Sequence, residues 1–250
     1  MLKDLKAIIL AGGLGTRLAE ETDQIPKPMV RVGEYPILLH IMSIYATFGI
    51  QEFIVCGGYR VNVIQEYFSS NDGQRILKKN YWKLNIVDTG VETGTAHRIS
   101  ALQDLVEDNF LMTYGDGLTD LNIENVVTKH LNSKLIATVT AVHPPARFGT
   151  LEIENEIVSS FEEKDKTKSG WINGGFFVLR REIFDYIERD DYSFEGSPMR
   201  RLVLDRQLGA YKHDGFWHPM DTLREKRDLE RYWNSGQRPW PGSEFLESGK

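Results

Sequence analysis

The 250-residue sequence predicts an α/β fold: a Rossmann-like, doubly wound, mostly parallel sheet with a small antiparallel lobe in its second half. Two observations carry this reading. Apolar runs of strand length alternate with stretches whose apolar residues recur at helical spacing, a pattern that implies βαβ units. The richest glycine segment falls directly after the first apolar run, at a strand's carboxyl end, where such sheets collect ligands.

The first strand candidate is Lys6–Leu10, followed by Glu52–Cys56, Leu84–Val87, Asn109–Thr113 and Ile136–Val142. Between them, Ile37–Phe48, Val61–Phe68, Ile99–Val106 and Ile123–Leu131 have helical spacing. The second half changes character. Thr150–Ile153, Ile157–Phe161 and Gly174–Leu179 are shorter runs, some joined by polar turns, as an antiparallel addition would be, and Thr222–Tyr232 reads as a helix. No composition break marks a linker and no repeat is evident, so residues 1–250 read as one continuous domain. The tail from Arg238 to Lys250 is rich in turn formers and reads as only partly ordered.

Composition narrows the class. Hydrophobic content of 41% with 26% charged residues is ordinary for a soluble globular protein. A net charge of −6 argues against a protein that coats nucleic acid, yet allows a local basic cluster to hold a small anion. The single cysteine, Cys56, excludes an intrachain disulfide and fits a reducing cytoplasm. It ends an apolar run, so a buried thiol is expected. No apolar stretch reaches membrane-spanning length, and the charged residues Lys3, Asp4 and Lys6 before a very short apolar run do not make a signal peptide.

The segment Leu10-Ala-Gly-Gly-Leu-Gly-Thr-Arg-Leu-Ala19 is the most informative. Glycines let consecutive N–H groups converge on an anion, a helix starting near Thr16 would add its positive end, and Arg17 supplies a fork of donors suited to phosphate. The dinucleotide fingerprint fails because Leu18 stands where its third glycine belongs, which counts against a dehydrogenase. The P-loop pattern is absent as well. A plain glycine-rich turn between strand and helix leaves Arg17 unexplained.

Other residues suit chemistry. Asp116, between two glycines after the Asn109–Thr113 run, is either a Mg²⁺ ligand or a turn former. Asp221 is either a second ligand or the N-cap of the helix that follows it. If the two carboxylates meet in space, they make a Mg²⁺ site. Lys27, held between Pro26 and Pro28, is pre-positioned close after the glycine loop. Glu163, Lys164, Asn173 and Gly174 could bind a small polar molecule, although 162–168 could equally be a solvated charged hairpin. His218 has no His or Cys partner at ligand spacing and reads as a packing or hydrogen-bonding residue.

Together these segments resemble the sugar-phosphate nucleotidyltransferases. The matches are Lys6 to Leu18, Pro26-Lys-Pro-Met29, Thr113-Tyr-Gly-Asp-Gly117, Pro145-Ala-Arg-Phe-Gly149, Ile172-Asn-Gly-Gly-Phe-Phe-Val178 and Gly215 to Arg224. They span nearly the whole chain, and the last two with Thr113-Tyr-Gly-Asp116 resemble the cytidylyltransferase branch that acts on glucose 1-phosphate.

The resemblance implies a nucleotide-binding half of about residues 1–135 and an acceptor-binding half of about 136–237. In the first, Leu10, Ala11, Gly12, Gly13, Gly15, Thr16 and Arg17 would hold CTP, with Gly94 near the cytosine. Arg17 and Lys27 would be catalytic, and Asp116 and Asp221 would hold Mg²⁺, the expected cofactor. Tyr114, Glu163, Lys164, Asn173 and Gly174 would face a phosphorylated small-molecule acceptor. The reaction it implies is attack of the acceptor's phosphate on the α-phosphorus of CTP with loss of pyrophosphate, in the cytoplasm and in service of surface polysaccharide synthesis. A homo-oligomer is compatible with it; nucleic-acid and membrane partners are not expected.

The sequence departs from that branch at three places. Only Ser69–Leu84 stands where the glucose enzymes carry a long insertion, Thr93-Gly-Thr-Ala96 replaces their Thr-Gly-Gly-Arg, and Glu163-Lys164-Asp165 replaces their Glu-Lys-Pro. All three touch the acceptor side or assembly. A non-sugar phosphate of the phosphoglutamine type, as used in capsule phosphoramidate synthesis, therefore stays open as acceptor. A nucleotide-binding subunit without turnover is a further reading, which the retained Arg17, Asp116 and Asp221 oppose.

Overall fold

The computed structural model describes residues 2–144, 150–154, 157–162 and 170–247. Seven strands form the main sheet: β1 (Lys6–Leu10), β2 (Glu52–Gly57), β3 (Lys83–Asp88), β4 (Asn109–Tyr114), β5 (Ala137–Val142), β6 (Ile172–Arg180) and β7 (Leu208–His213). Their order is β7-β5-β6-β4-β1-β2-β3. Four neighbouring pairs are parallel, β1 with both β2 and β4, β2 with β3, and β5 with β7. Only β6 runs antiparallel, against β4 and β5. The mostly parallel α/β sheet is as expected, and the second half of the chain contributes β5, β6 and β7 to it.

The first strand shows why it lies at the centre. Ala7 and Ile9 point into the core on one face and Ile8 and Leu10 into the core on the other, all four buried. A strand covered on both faces reads as a continuous apolar run. Helices α1 (Ile37–Thr47), α2 (Val61–Ser69), α3 (Asn71–Asn80), α4 (Thr95–Ser100), α5 (Ile123–Ser133), α6 (Ser197–Leu204) and α7 (Leu223–Ser235) complete the framework. Helix α1 is buried from Ile37 to Ala46, as befits a helix apolar all round. Helix α3 is capped by Ser70, whose Oγ accepts the Gly73 N–H at 3.3 Å.

Some boundaries differ from the sequence reading. The run read as a helix over Ile99–Val106 starts earlier, at Thr95, and ends in a separate 3₁₀ turn, Gln103–Leu105. Strand β7 and helices α3 and α6 are additional to it. The run β7 alternates half-buried and exposed side chains at the sheet edge, so its apolar signal is weak. Thr150–Glu154 and Ile157–Glu162 pair antiparallel, as the small lobe requires.

The described part of the tail, to residue 247, is anchored. Trp240 and Leu246 are buried in the main core, and Asn80 Nδ2 donates to the Phe245 carbonyl at 2.8 Å. Trp240 Nε1 donates to His40 Nδ1 at 3.3 Å, while His40 Nε2 lies 2.9 Å from the Val32 carbonyl and so carries the imidazole hydrogen. Burial holds the His40 pKa down at about 4. Its unfolded value is near 6.5, so between those values the unfolded chain binds a proton that the folded one refuses. Stability is therefore expected to fall as pH drops from about 6.5 to 4, by about 3 kcal/mol from His40 alone. Urea unfolding of wild type and His40→Gln across that window checks this; an equal slope in both would contradict it.

Candidate active site

The site is built where β1 and β4 end side by side. Gly115 N–H donates to the Leu10 carbonyl at 3.0 Å and Ala11 N–H to the Cys56 carbonyl at 2.9 Å, which fixes the root of the glycine loop between two strands. Among the described residues, the N–H groups of Gly12, Gly13 and Gly15 have no backbone partner. They are the free donors an anion cradle needs. Gly15 has φ +65°, which a side chain would strain, and from it the chain turns into a 3₁₀ turn, Thr16–Leu18. The expected helix near Thr16 is thus short, that turn plus one α-turn over Ala19–Thr22. Its dipole is correspondingly small, so the N–H groups and Arg17 carry the anion-binding capacity.

Asp116 and Asp221 come together through a two-stranded pairing that no periodicity reveals. Gly117–Thr119 runs antiparallel to Trp217–Pro219, with Pro219 opposite Gly117. One step further, Met220 N–H donates to the Asp116 carbonyl at 2.7 Å, and Asp221 lies diagonally across. The N-cap of α7 is Thr222, in a capping box with Glu225. Glu225 also accepts the Asp221 N–H at 2.8 Å. Asp221 is therefore excused from capping, and its carboxylate faces the site.

Lys27 completes the cluster. Pro26 is extended and Lys27–Met29 forms a 3₁₀ turn, sealed by buried Pro28 and Met29. Lys27 Nζ donates to Asp116 Oδ2 at 2.7 Å and to Asp221 Oδ1 at 2.5 Å. Arg17 Nη1 donates to the other Asp221 oxygen at 2.8 Å. Two carboxylates from distant segments thus share one cation. Burial pulls the Lys27 ammonium down, but the Asp116 and Asp221 carboxylates outweigh it and raise its pKa above the ordinary value. The stability from this pairing is present below the unfolded lysine pKa and is lost only as pH rises through the higher folded value.

A cleft of about 470 Å³ opens beside this cluster, within the usual range for small-ligand sites. It is lined by the predicted loop residues Leu10, Ala11, Gly12, Gly13, Gly15, Thr16 and Arg17, and by Lys27, Gly94, Tyr114 and Asp116. Asn173 and Gly174 are not in its lining. Asn173 Oδ1 accepts the Gly175 N–H at 2.8 Å, and the Gly174 carbonyl accepts Trp217 Nε1 at 2.8 Å. They brace the wall behind Tyr114. Glu163, Lys164 and the 145–149 motif lie outside the described residues. His218 Nδ1 is 2.8 Å from the Pro219 carbonyl and its ring stacks near Phe216, in keeping with a packing and hydrogen-bonding residue.

The structure adds cleft residues that the sequence reading did not single out, Arg98, Tyr192, Ser193 and Glu195 among them. The Arg98 guanidinium is buried and donates to the carbonyls of Gly57 (2.8 Å) and Gly12 (3.0 Å), and to the Thr89 hydroxyl. A Cβ on Gly12 would collide with it, so this glycine is required by the arginine beneath as well as by any ligand above. Ala96, where the family resemblance implies an arginine, is fully buried. The cation of this chain reaches the cleft two residues later, tied down by the loops it supports.

A glycine cradle, free N–H donors and paired carboxylates at the strand ends of a mostly parallel sheet define a nucleotide-binding enzyme of the phosphate-handling α/β class. A family profile described as "Nucleotidyl transferase" matches residues 6–233, and the chain belongs to that family, on its cytidylyltransferase branch. It is 44% identical to the "Glucose-1-phosphate cytidylyltransferase" of Salmonella typhi, over 94% of this chain and 98% of that one. It is 34% identical to the "D-glycero-alpha-D-manno-heptose 1-phosphate guanylyltransferase" of Campylobacter jejuni, over 76% of this chain and 83% of that one. Among solved structures, HddC from Yersinia pseudotuberculosis shares the fold with a TM-score of 0.70 at 24% identity, covering 92% of this chain and 99% of that chain. Among the described residues, no helix is long and apolar enough to cross a membrane.

Proposed function

We propose that this protein is a Mg²⁺-dependent cytidylyltransferase, joining CTP to a phosphorylated acceptor to give a CDP-linked product and pyrophosphate. The acceptor is a sugar 1-phosphate such as glucose 1-phosphate, and the enzyme works in the cytoplasm to supply an activated sugar for surface polysaccharide. The name and near full-length match of the Salmonella relative support the base and the acceptor class. One observation carries the chemistry: Asp116, Asp221, Lys27 and Arg17 meet beside a glycine loop with unused N–H groups.

The donor set fits Mg²⁺, which takes one or two carboxylates together with phosphate oxygens and water. The two aspartates already grip a single cationic atom, so their spacing suits one shared positive charge. When bound, Mg²⁺ supplies charge neutralisation at the phosphates. The chain's own groups do the rest. Loop N–H groups and Arg17 hold the outer phosphates, and Lys27 stabilises charge at the α-phosphorus. An acceptor phosphate oxygen attacks that phosphorus in line, and the bond to the bridging oxygen breaks, releasing pyrophosphate. The attacking monoester is already anionic near neutral pH, so no general base is required, and positioning with charge neutralisation suffices.

The experiment is pyrophosphate release from CTP and Mg²⁺ with a panel of acceptors: glucose 1-phosphate, other sugar 1-phosphates and an amino-acid amide phosphate. Release is expected with a sugar 1-phosphate, and CTP is expected to outperform UTP, GTP and dTTP. Release with the amide phosphate alone would move the acceptor to the non-sugar class. Silence with every acceptor would overturn the reading.

A further inference from the structure

We propose that Glu195 is a positioning residue for the acceptor, acting through the hydroxyl of Tyr114; this rests on the nucleotidyl-transfer reading of the cleft. Glu195 lies between β6 and α6, far in sequence from the glycine loop and both aspartates, and its side chain lines the cleft. It gathers hydroxyls from three walls. Thr95 Oγ1, at the start of α4, donates to Oε2 at 2.8 Å, and Ser193 Oγ donates to the same oxygen at 2.6 Å. Tyr114, the last residue of β4 and two before Asp116, donates its hydroxyl to Oε1. The backbone locks the same loop in place: Phe194 N–H donates to Thr95 Oγ1 at 2.8 Å and Ala96 N–H to the Tyr192 carbonyl at 3.2 Å.

The chemistry of this knot is directional. A carboxylate only accepts hydrogen bonds, whereas a phenol can donate or accept. Burial tends to raise the Glu195 carboxyl, but the bonds from Ser193 and Tyr114 outweigh it and hold it below its ordinary value. Its ionised form therefore commits the Tyr114 hydrogen towards Oε1. The phenol oxygen is left as an acceptor. The ring cannot turn to undo this. It packs edge-on against Phe177 at 6.2 Å between centroids, and Gly175 is bare where a Cβ would strike it. Among the described residues no lysine or arginine pairs with Glu195, and three oriented hydroxyls donate to its carboxylate. The result is a fixed hydrogen-bond acceptor two residues from Asp116, placed for a hydroxyl of the molecule whose phosphate attacks CTP.

The test is a set of four proteins, Glu195→Ala, Glu195→Gln, Tyr114→Phe and the Glu195→Ala/Tyr114→Phe double variant, assayed with the acceptor the wild type uses best. Groups that orient a ligand-binding residue typically matter about 10–100-fold. Glu195→Ala is expected to raise the acceptor KM by about that factor while changing the CTP KM much less. The double variant is expected to be no worse than the more damaged single one, because both remove one acting unit. Glu195→Gln keeps an accepting oxygen and is expected to fall between wild type and Glu195→Ala. Independent, multiplying effects in the double variant would overturn the proposal, as would an unchanged acceptor KM in Glu195→Ala of wild-type circular dichroism. If Glu195→Ala does not fold, the same coupling is read from Glu195→Gln with Tyr114→Phe. An inert wild type refutes the functional reading; an active wild type with additive variants refutes only the role of Glu195.

Discussion

Asp116→Asn and Asp221→Asn each lower turnover by about 10²–10³-fold, the loss expected when one charge-stabilising contact leaves a preorganised site. The substitution keeps the shape of the side chain and removes only its charge. Asp221→Asn is the more damaging of the two, because Asp221 holds both Lys27 Nζ and Arg17 Nη1, whereas Asp116 holds Lys27 alone. The fold itself feels little. Their side chains are 33% and 18% exposed, and partly solvated ion pairs contribute about 1 kcal/mol or less. Each variant also binds divalent cation more weakly, so raising Mn²⁺ recovers part of its rate. Steady-state kinetics over a metal titration, with thermal unfolding alongside, checks both statements. Full activity at low metal in either variant would remove that aspartate from the metal site.

How much of this was legible before the structure divides along physical lines. Strands buried on both faces announce themselves, since Ala7-Ile-Ile-Leu10 and Phe110-Leu-Met112 are apolar without interruption. The phosphate loop is equally local, because its chemistry is backbone geometry and needs only glycine and one arginine in sequence. Lys27 between two prolines was legible for the same reason. The meeting of Asp116 with Asp221 was expected from resemblance, but its cause, the pairing of Gly117–Thr119 with Trp217–Pro219, is non-local and three residues long. Too short a run carries no period. Strand β7 stayed hidden because an edge strand is half solvated. Arg98 and Glu195 were hidden for another reason: each works by holding carbonyls or hydroxyls that are distant in sequence. A charged residue in an ordinary helix or loop gives no sign of such partners. In the tail, turn-rich composition masks two anchors, Trp240 and Leu246.

Lys27→Met produces two effects of opposite sign. Turnover is expected to fall by about 10²–10³-fold, since the cation proposed to meet charge at the α-phosphorus is gone. Metal binding to the nucleotide-free enzyme grows tighter instead. The reason is that Nζ sits 2.7 Å from Asp116 Oδ2 and 2.5 Å from Asp221 Oδ1, between the very oxygens a divalent cation needs. In the wild type, a metal bound as proposed would have to displace that ammonium, and the raised pKa of Lys27 means it cannot be removed by deprotonation near neutral pH. On the proposed reading, CTP would offer the ammonium a phosphate instead, so that metal and nucleotide would enter together. Methionine fills the same space without charge and leaves the carboxylates facing each other with, among the described residues, only Arg17 as counterion. That repulsion costs the variant about 1–2 kcal/mol of stability, because removing one partner strands the other charges in a partly buried site. Divalent cation restores it by binding the folded form alone. Calorimetric titration with Mn²⁺ in the absence of nucleotide is therefore expected to show at least a tenfold tighter site in Lys27→Met, about 1.4 kcal/mol, and thermal unfolding a larger metal-induced shift than in wild type. A variant that bound Mn²⁺ no better than wild type would mean that the two aspartates do not form the cation site, whatever the variant's loss of turnover.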